Sequence, residues 1–162
     1  LKCVKVSRKS YFRNFSRPLK GPKNSRITFS TTYTLIGTLP VILGLGVFYT
    51  LAGINHFISP SFYIPLIPPV FPNPDFINVT AGIIEILLGL GVFFFPTRKF
   101  AAWGIVLMLL AFIPSHWYFL QIGSCIQDGL CVPAFIGWIR LLVIHPMLIY
   151  WAFWVSRQTG LS

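Results

Sequence analysis

Apolar residues gather along this chain in four long blocks, each near the roughly 20 residues that a helix needs to cross a bilayer. The pattern predicts transmembrane helices over about 33–58, 74–95, 99–122 and 133–157, following a polar segment over 1–32. Prolines punctuate the blocks. Pro60 ends the first helix, and Asn73-Pro74-Asp75 opens the second with a capping side chain, a proline in the first turn and an acid near the positive end of the helix dipole. Pro96 closes that helix, Thr97-Arg98-Lys99 makes a tight turn into the third, and Pro114 and Pro146 are expected to kink the third and fourth. Gly37, Gly44, Gly46 and Gly53 allow the first helix to approach a neighbour closely.

Between the first two helices, Pro60, Pro65, Pro68, Pro69, Pro72 and Pro74 alternate with Phe, Tyr, Ile, Leu and Val. A backbone lacking donors at those positions is expected to form neither regular helix nor strand. Its apolar side chains place it at the membrane interface, as a lid over the bundle, because irregular backbone at depth must lie against protein or a wet cavity.

Composition turns this pattern into a class. Hydrophobic residues make up 55% of the 162 residues and charged residues only 10%, against about 25% charged in an ordinary soluble domain. The fold class is therefore all-α: a membrane-embedded four-helix bundle with a basic N-terminal extension and a Pro-rich loop after its first helix.

The formal charge of +10 suggests nucleic acid until the charges are located. Lys2, Lys5, Arg8, Lys9, Arg13, Arg17, Lys20, Lys23 and Arg26 all precede Thr28, with no acid among them. This segment suits anionic lipid headgroups, at about 1 kcal/mol per charge near the surface, or an ordered contact with other membrane-protein subunits. RNA is supported only by the interleaved Tyr11, Phe12 and Phe15, and no nucleic acid is expected. The serines and the lack of acids also resemble an organelle transit peptide, and with no initiator Met the chain is expected to be a mature form with an upstream presequence removed. The basic segment, Arg98, Lys99 and Arg157 fall on one side of the membrane, and Asp75 and Asp128 on the other. Both termini are thus expected on the matrix, stroma or cytosol side of a mitochondrial or plastid inner-type membrane.

Five polar residues lie within the apolar blocks: His56, Glu85, His116, Arg140 and His145. Counting at 1.5 Å per residue from the less basic end puts His56 near the surface, His116 and Arg140 deeper, and Glu85 and His145 roughly 15 Å in. Asn78, Gly82, Glu85 and Gly89 are spaced by four, three and four residues, so they share one helix face, which should pack against other helices. The simplest compensation for Glu85 is an ion pair with Arg140; the alternative is a neutral, hydrogen-bonded carboxyl. His145, about 140° around the helix from Arg140, should line a different contact. With no two histidines at one depth, no HExxH and no carboxylate cluster, neither haem nor a metal site is expected. Asn78-Val79-Thr80 matches the glycosylation triplet but lies within the second helix.

Cys125 and Cys131 flank a short loop on the less basic side, where they form either a disulfide or two free thiols; a redox-active pair is less favoured, because the spacing is not CxxC and no Lys or Arg is adjacent. No catalytic residue is assigned.

Taken together, Ala52-Gly53, His56-Phe57, the Pro-rich loop, Gly82 with Glu85, Phe112 with Pro114, and Arg140 resemble the DoxX-like membrane proteins, over about residues 35–156. The resemblance implies a four-helix membrane fold and His56, Glu85 and Arg140 as the family's polar positions. Family roles include subunits of thiosulfate-to-quinone oxidoreductases, membrane thiol-redox systems and, among distant relatives, membrane chaperones. The basic segment and the cysteine pair lie outside the usual family pattern. The expectation is a non-catalytic accessory subunit of a respiratory or photosynthetic membrane complex. A thiol- or sulfur-to-quinone oxidoreductase subunit that binds quinone is the alternative, and a chaperone or assembly factor the third.

Overall fold

The structure, a computed structural model, describes residues 25–126 and 131–158, with side chains from residue 37 onward. Its elements are α1 (Ser25–Ile58), α2 (Pro60–Tyr63), a 3-10 turn (Ile64–Leu66), α3 (Pro74–Phe93), α4 (Phe95–Gln121), α5 (Ala134–Ile139), a π-helical turn (Arg140–Ile144) and α6 (His145–Arg157). Helices Gly37–Ile58, Pro74–Phe93, Phe95–Gln121 and Ala134–Arg157 are each long and apolar enough to span a membrane. The protein is an integral membrane four-helix bundle. The basic residues from Lys2 to Lys23 and Asp128 fall outside the described residues, and Arg26 lies on the backbone of α1.

Two compact units divide the chain, residues 1–35 and Ile36–Ser162. The second holds the core. Leu45, Val92, Ala102, Ile105, Ala152 and Val155, drawn from all four spans, are fully buried. Large apolar side chains such as Leu51, Leu87, Leu107 and Leu142 are exposed on the bundle exterior, as lipid contact requires.

The buried face of α3 is Asn78, Gly82, Glu85, Gly89 and Val92, the face predicted from spacing. It meets α1 backbone to backbone. A methyl placed on Gly53 would come within 2.6 Å of the Gly82 carbonyl oxygen, and one on Gly89 within 2.6 Å of the Thr50 backbone nitrogen. Only glycine permits that approach. Thr50 donates its hydroxyl hydrogen to the Gly46 carbonyl oxygen at 2.8 Å and so keeps its polar atom within its own helix.

Several boundaries differ from the sequence expectation, all but the first of them for a proline reason. The first helical backbone begins at Ser25 rather than near residue 33. Pro96 opens α4 instead of closing α3, since a first-turn proline loses no helical hydrogen bond; the turn shrinks to Phe94. There Thr97 Oγ1 donates to the Gly91 carbonyl and Arg98 Nε to the Val92 carbonyl, capping the open C-terminal end of α3. The helix continues through Pro114. In the 59–75 segment, Pro60 and Pro65 likewise occupy first-turn positions, so α2 and the 3-10 turn form where no regular helix was expected. Pro146 acts further upstream. Lacking an N–H, it cannot bond the Leu142 carbonyl, and the chain widens so that the His145 N–H reaches Arg140 O, five residues back.

Candidate functional site

The Pro-rich segment is fixed over one end of the bundle by apolar and polar contacts together. Leu66 packs with Phe119 and Ile126, flanked by Phe62, Ile122 and Val132. Tyr63 stacks on His56, ring centroids 3.7 Å apart, while its hydroxyl oxygen accepts a hydrogen bond from Asn55 Nδ2 at 2.8 Å. Cys125 and Cys131 are joined by a disulfide and also pair through their backbones as an isolated antiparallel bridge. The 123–132 loop turns through Gly123 and Ser124, both at positive φ.

Beneath this segment is a cavity of ≈ 620 Å3, to which all four spans contribute. Its walls are mostly apolar, including Phe48, Phe71, Leu109, Phe112 and Leu148. Every predicted intramembrane polar residue, His56, Glu85, His116, Arg140 and His145, lines it.

The α1–α3 contact places His56 opposite Glu85. Asn78 Nδ2 donates to the His56 carbonyl oxygen at 3.0 Å, which turns Asn78 Oδ1 toward His56 Nδ1 at 2.8 Å. That oxygen can only accept, so His56 Nδ1 carries a hydrogen and Nε2 is the nitrogen facing the carboxyl. His56 Nε2 and Glu85 Oε2 are 3.7 Å apart, too long for a direct hydrogen bond. Among the described residues, Glu85 Oε2 has no hydrogen-bond partner, and neither does the buried hydroxyl of Tyr49, another cavity residue. Both residues line the cavity, and each keeps a buried polar atom without a hydrogen-bond partner among the described residues, an arrangement that costs about 1–3 kcal/mol each.

The expected Glu85–Arg140 ion pair is not formed. α3 and the α5–α6 helix start at the same end of the bundle, and helical side chains lean toward the N-terminus, so Glu85 and Arg140 lean the same way and keep their separation in depth. α1 runs the opposite way, and the lean brings His56 and Glu85 together instead. Arg140 lies over the Phe119 ring at 5.9 Å and has no hydrogen bond or ion pair among the described residues.

The histidine expectation is corrected by the same geometry. His116 on α4 and His145 on α6 were counted to different depths, yet their rings sit edge to face, centroids 4.6 Å apart. Their helices are antiparallel, so each side chain leans toward the other. His145 Nε2 also donates to the Leu109 carbonyl at 2.8 Å. Nor does His145 line a different contact from Arg140, because the wider π turn reduces the angle between them and both reach one cavity. Among the described residues, no group of three or more His, Cys, Asp or Glu could hold a metal ion.

Sequence reasoning passed over Tyr49, Tyr63 and Asn78 as site residues. Asn78 carried a signal, since it lies two turns before Glu85 on the buried face; Tyr49 is one of many aromatics in an apolar helix and carried none.

Residues 45–156 match the family described as Domain of unknown function (DUF8561). That range contains every residue that lines the cavity. No curated protein and no solved structure matches the chain.

Proposed function

The chain belongs to the Domain of unknown function (DUF8561) family, and from that premise we propose that its transmembrane domain binds a small lipid-soluble molecule with one polar end. The observation that carries this reading is the cavity itself. It has the 300–1,000 Å3 size typical of small-molecule sites, and its lining includes Glu85, Tyr49 and Arg140, of which Glu85 Oε2, Tyr49 Oη and the Arg140 guanidinium have no hydrogen-bond partner among the described residues. Apolar walls suit a ligand arriving from the bilayer. The polar groups suit its head.

Quinone, the ligand that the DoxX-like resemblance implies, fits these demands in kind. Phe71 and Phe112 would flank a ring, and Arg140 would donate to a carbonyl oxygen. Binding is the proposed activity, and no reaction is assigned to it.

The test is filling the space. Ala81 is a half-buried wall residue on α3, and Ala81→Phe should remove a stoichiometric small molecule that wild-type protein retains through mild purification, as read by native mass spectrometry. Retention of the same molecule by a folded Ala81→Phe protein would oppose the reading.

The charge segregation favours a second role for another part of the chain. Residues 1–27 hold basic groups and no acid, and we propose that they dock the domain on partner subunits or anionic headgroups of an organellar complex, on the positive side of the membrane. Deleting them should release the protein from its assembly; unchanged co-migration on a native gel argues against docking.

A further inference from the structure

Charge accounting around the cavity identifies its ligand more narrowly, and this inference rests on the binding role proposed above. Glu85 faces His56, and holding one proton between them makes that pair neutral as a whole, whether the proton resides on the carboxyl or on the imidazole. His145 is held to the Leu109 carbonyl and sits against His116, and neither histidine has an acid within ion-pair distance among the described residues. Asp75 is exposed in the first turn of α3, and Asp128 lies outside the described residues. This leaves Arg140, half-buried within a membrane-spanning helix, as a guanidinium with no acidic partner among the described residues.

An arginine in this setting stays charged and offers five donors in a planar fork. An unpaired charge inside a membrane protein is costly and ordinarily meets a counterion or a ligand. The Phe119 face supplies a cation–π contact that orients the fork without using its hydrogens. The π-helical turn beginning at Arg140 brings this side chain to the same cavity as His145, and π turns are frequent at functional sites. The unmet demand is thus for an anion with planar acceptor geometry, attached to an apolar body that fits walls of Phe and Leu.

We propose that the cavity takes a lipid-soluble carboxylic acid, with its carboxylate on Arg140 and its hydrocarbon along the apolar walls. The His56–Glu85 pair and Tyr49 then form a second polar station, neutral with one proton on the pair, which tolerates an acid in the same cavity.

The experiment uses the full chain in lipid nanodiscs with cis-parinaric acid and its methyl ester, which share a hydrocarbon and differ in the charged head. Binding is read as energy transfer from tryptophan. The acid should bind wild-type protein at least about tenfold more tightly than the ester, the difference expected for charge-assisted hydrogen bonds. Arg140→Gln should remove that preference, and Arg140→Lys should keep part of it. Equal affinity of acid and ester for wild type, or an acid preference that survives Arg140→Gln, overturns the inference; loss of both ligands in Ala81→Phe would then still uphold the binding role. If Ala81→Phe leaves both signals unchanged, the probes are not in the cavity, and the binding role falls with the inference. Folding is monitored separately, because removal of an unpaired cation should leave the melting temperature of ligand-free protein unchanged or raised.

Discussion

The ring of Tyr63 lies nearly flat on the imidazole of His56, with planes 21° apart and centroids 3.7 Å apart. One residue belongs to the Pro-rich segment and the other to the polar pair in the cavity, so this stack fastens the lid to the site. Tyr63→Ala removes both the stack and the hydrogen bond from Asn55, and should lower bundle stability by about 1–2 kcal/mol. It should also raise hydrogen exchange in residues 59–73. Tyr63→Phe keeps the ring and should recover most of the loss. Equal effects from the two substitutions, measured by thermal unfolding in one detergent, would show that the hydroxyl matters rather than the stack.

Backbone proximity between α1 and α3 is what allows His56 and Glu85 to face each other. On Gly82 a methyl would meet the His56 Cβ at 2.8 Å, and on Gly53 it would meet the Glu85 Cβ at 2.8 Å. Gly53→Ala should therefore force the helices apart and destabilise the bundle by at least about 2 kcal/mol. Gly37, with open space around its Cβ position, is the matched control, and Gly37→Ala should leave the unfolding midpoint unchanged or raise it slightly.

Much of this architecture was legible in the sequence because it follows from helix period and length. The face through Asn78, Gly82, Glu85 and Gly89 needed only the 3.6-residue repeat, and the four spans needed only their apolar lengths. The pairing of polar groups was not legible for a different reason. A count along the helix axis locates a Cα, whereas the side chain leans toward the helix N-terminus, so antiparallel neighbours converge and parallel ones do not. That lean joins His56 to Glu85 and His116 to His145, and it keeps Arg140 from Glu85. The π turn at Arg140 adds a rotation that a fixed 100° step per residue cannot contain.

Asn78 holds His56 through two hydrogen bonds, one to the imidazole and one to the backbone carbonyl. Asn78→Ala leaves both groups without partners in a buried place and should cost about 2 kcal/mol. It should also free the ring to change tautomer, which 15N chemical shifts of the His56 imidazole would report. An Nδ1–H signature that persists in Asn78→Ala would mean that the tautomer is set by something other than Asn78.

The Cys125–Cys131 disulfide closes a loop whose own Ile126 packs with Leu66 and Phe119 at the cavity end. Replacing both cysteines by serine should destabilise the loop by roughly 2 kcal/mol, the chain-entropy value for so short a ring. Because Leu66 and Phe119 also line the cavity, exchange protection should fall in residues 62–66 as well as in the loop. A loss confined to residues 123–132 would show that the loop and the Pro-rich segment are energetically separate.

Whether Glu85 and Arg140 interact can be read directly from a double-mutant cycle. The carboxyl lies 3.7 Å from His56 and has an oxygen with no hydrogen-bond partner, so Glu85→Gln removes no strong bond and should change stability by less than about 0.5 kcal/mol. Arg140→Gln removes an unpaired charge and should be neutral or stabilising. The double variant should then equal the sum of the singles to within about 0.5 kcal/mol, the scatter seen for residues without shared partners. A coupling above about 1.5 kcal/mol, with each single variant strongly destabilising, is the signature of a buried ion pair left half-broken. That result would put Arg140 and Glu85 in contact and return the cavity to electrical balance without a ligand.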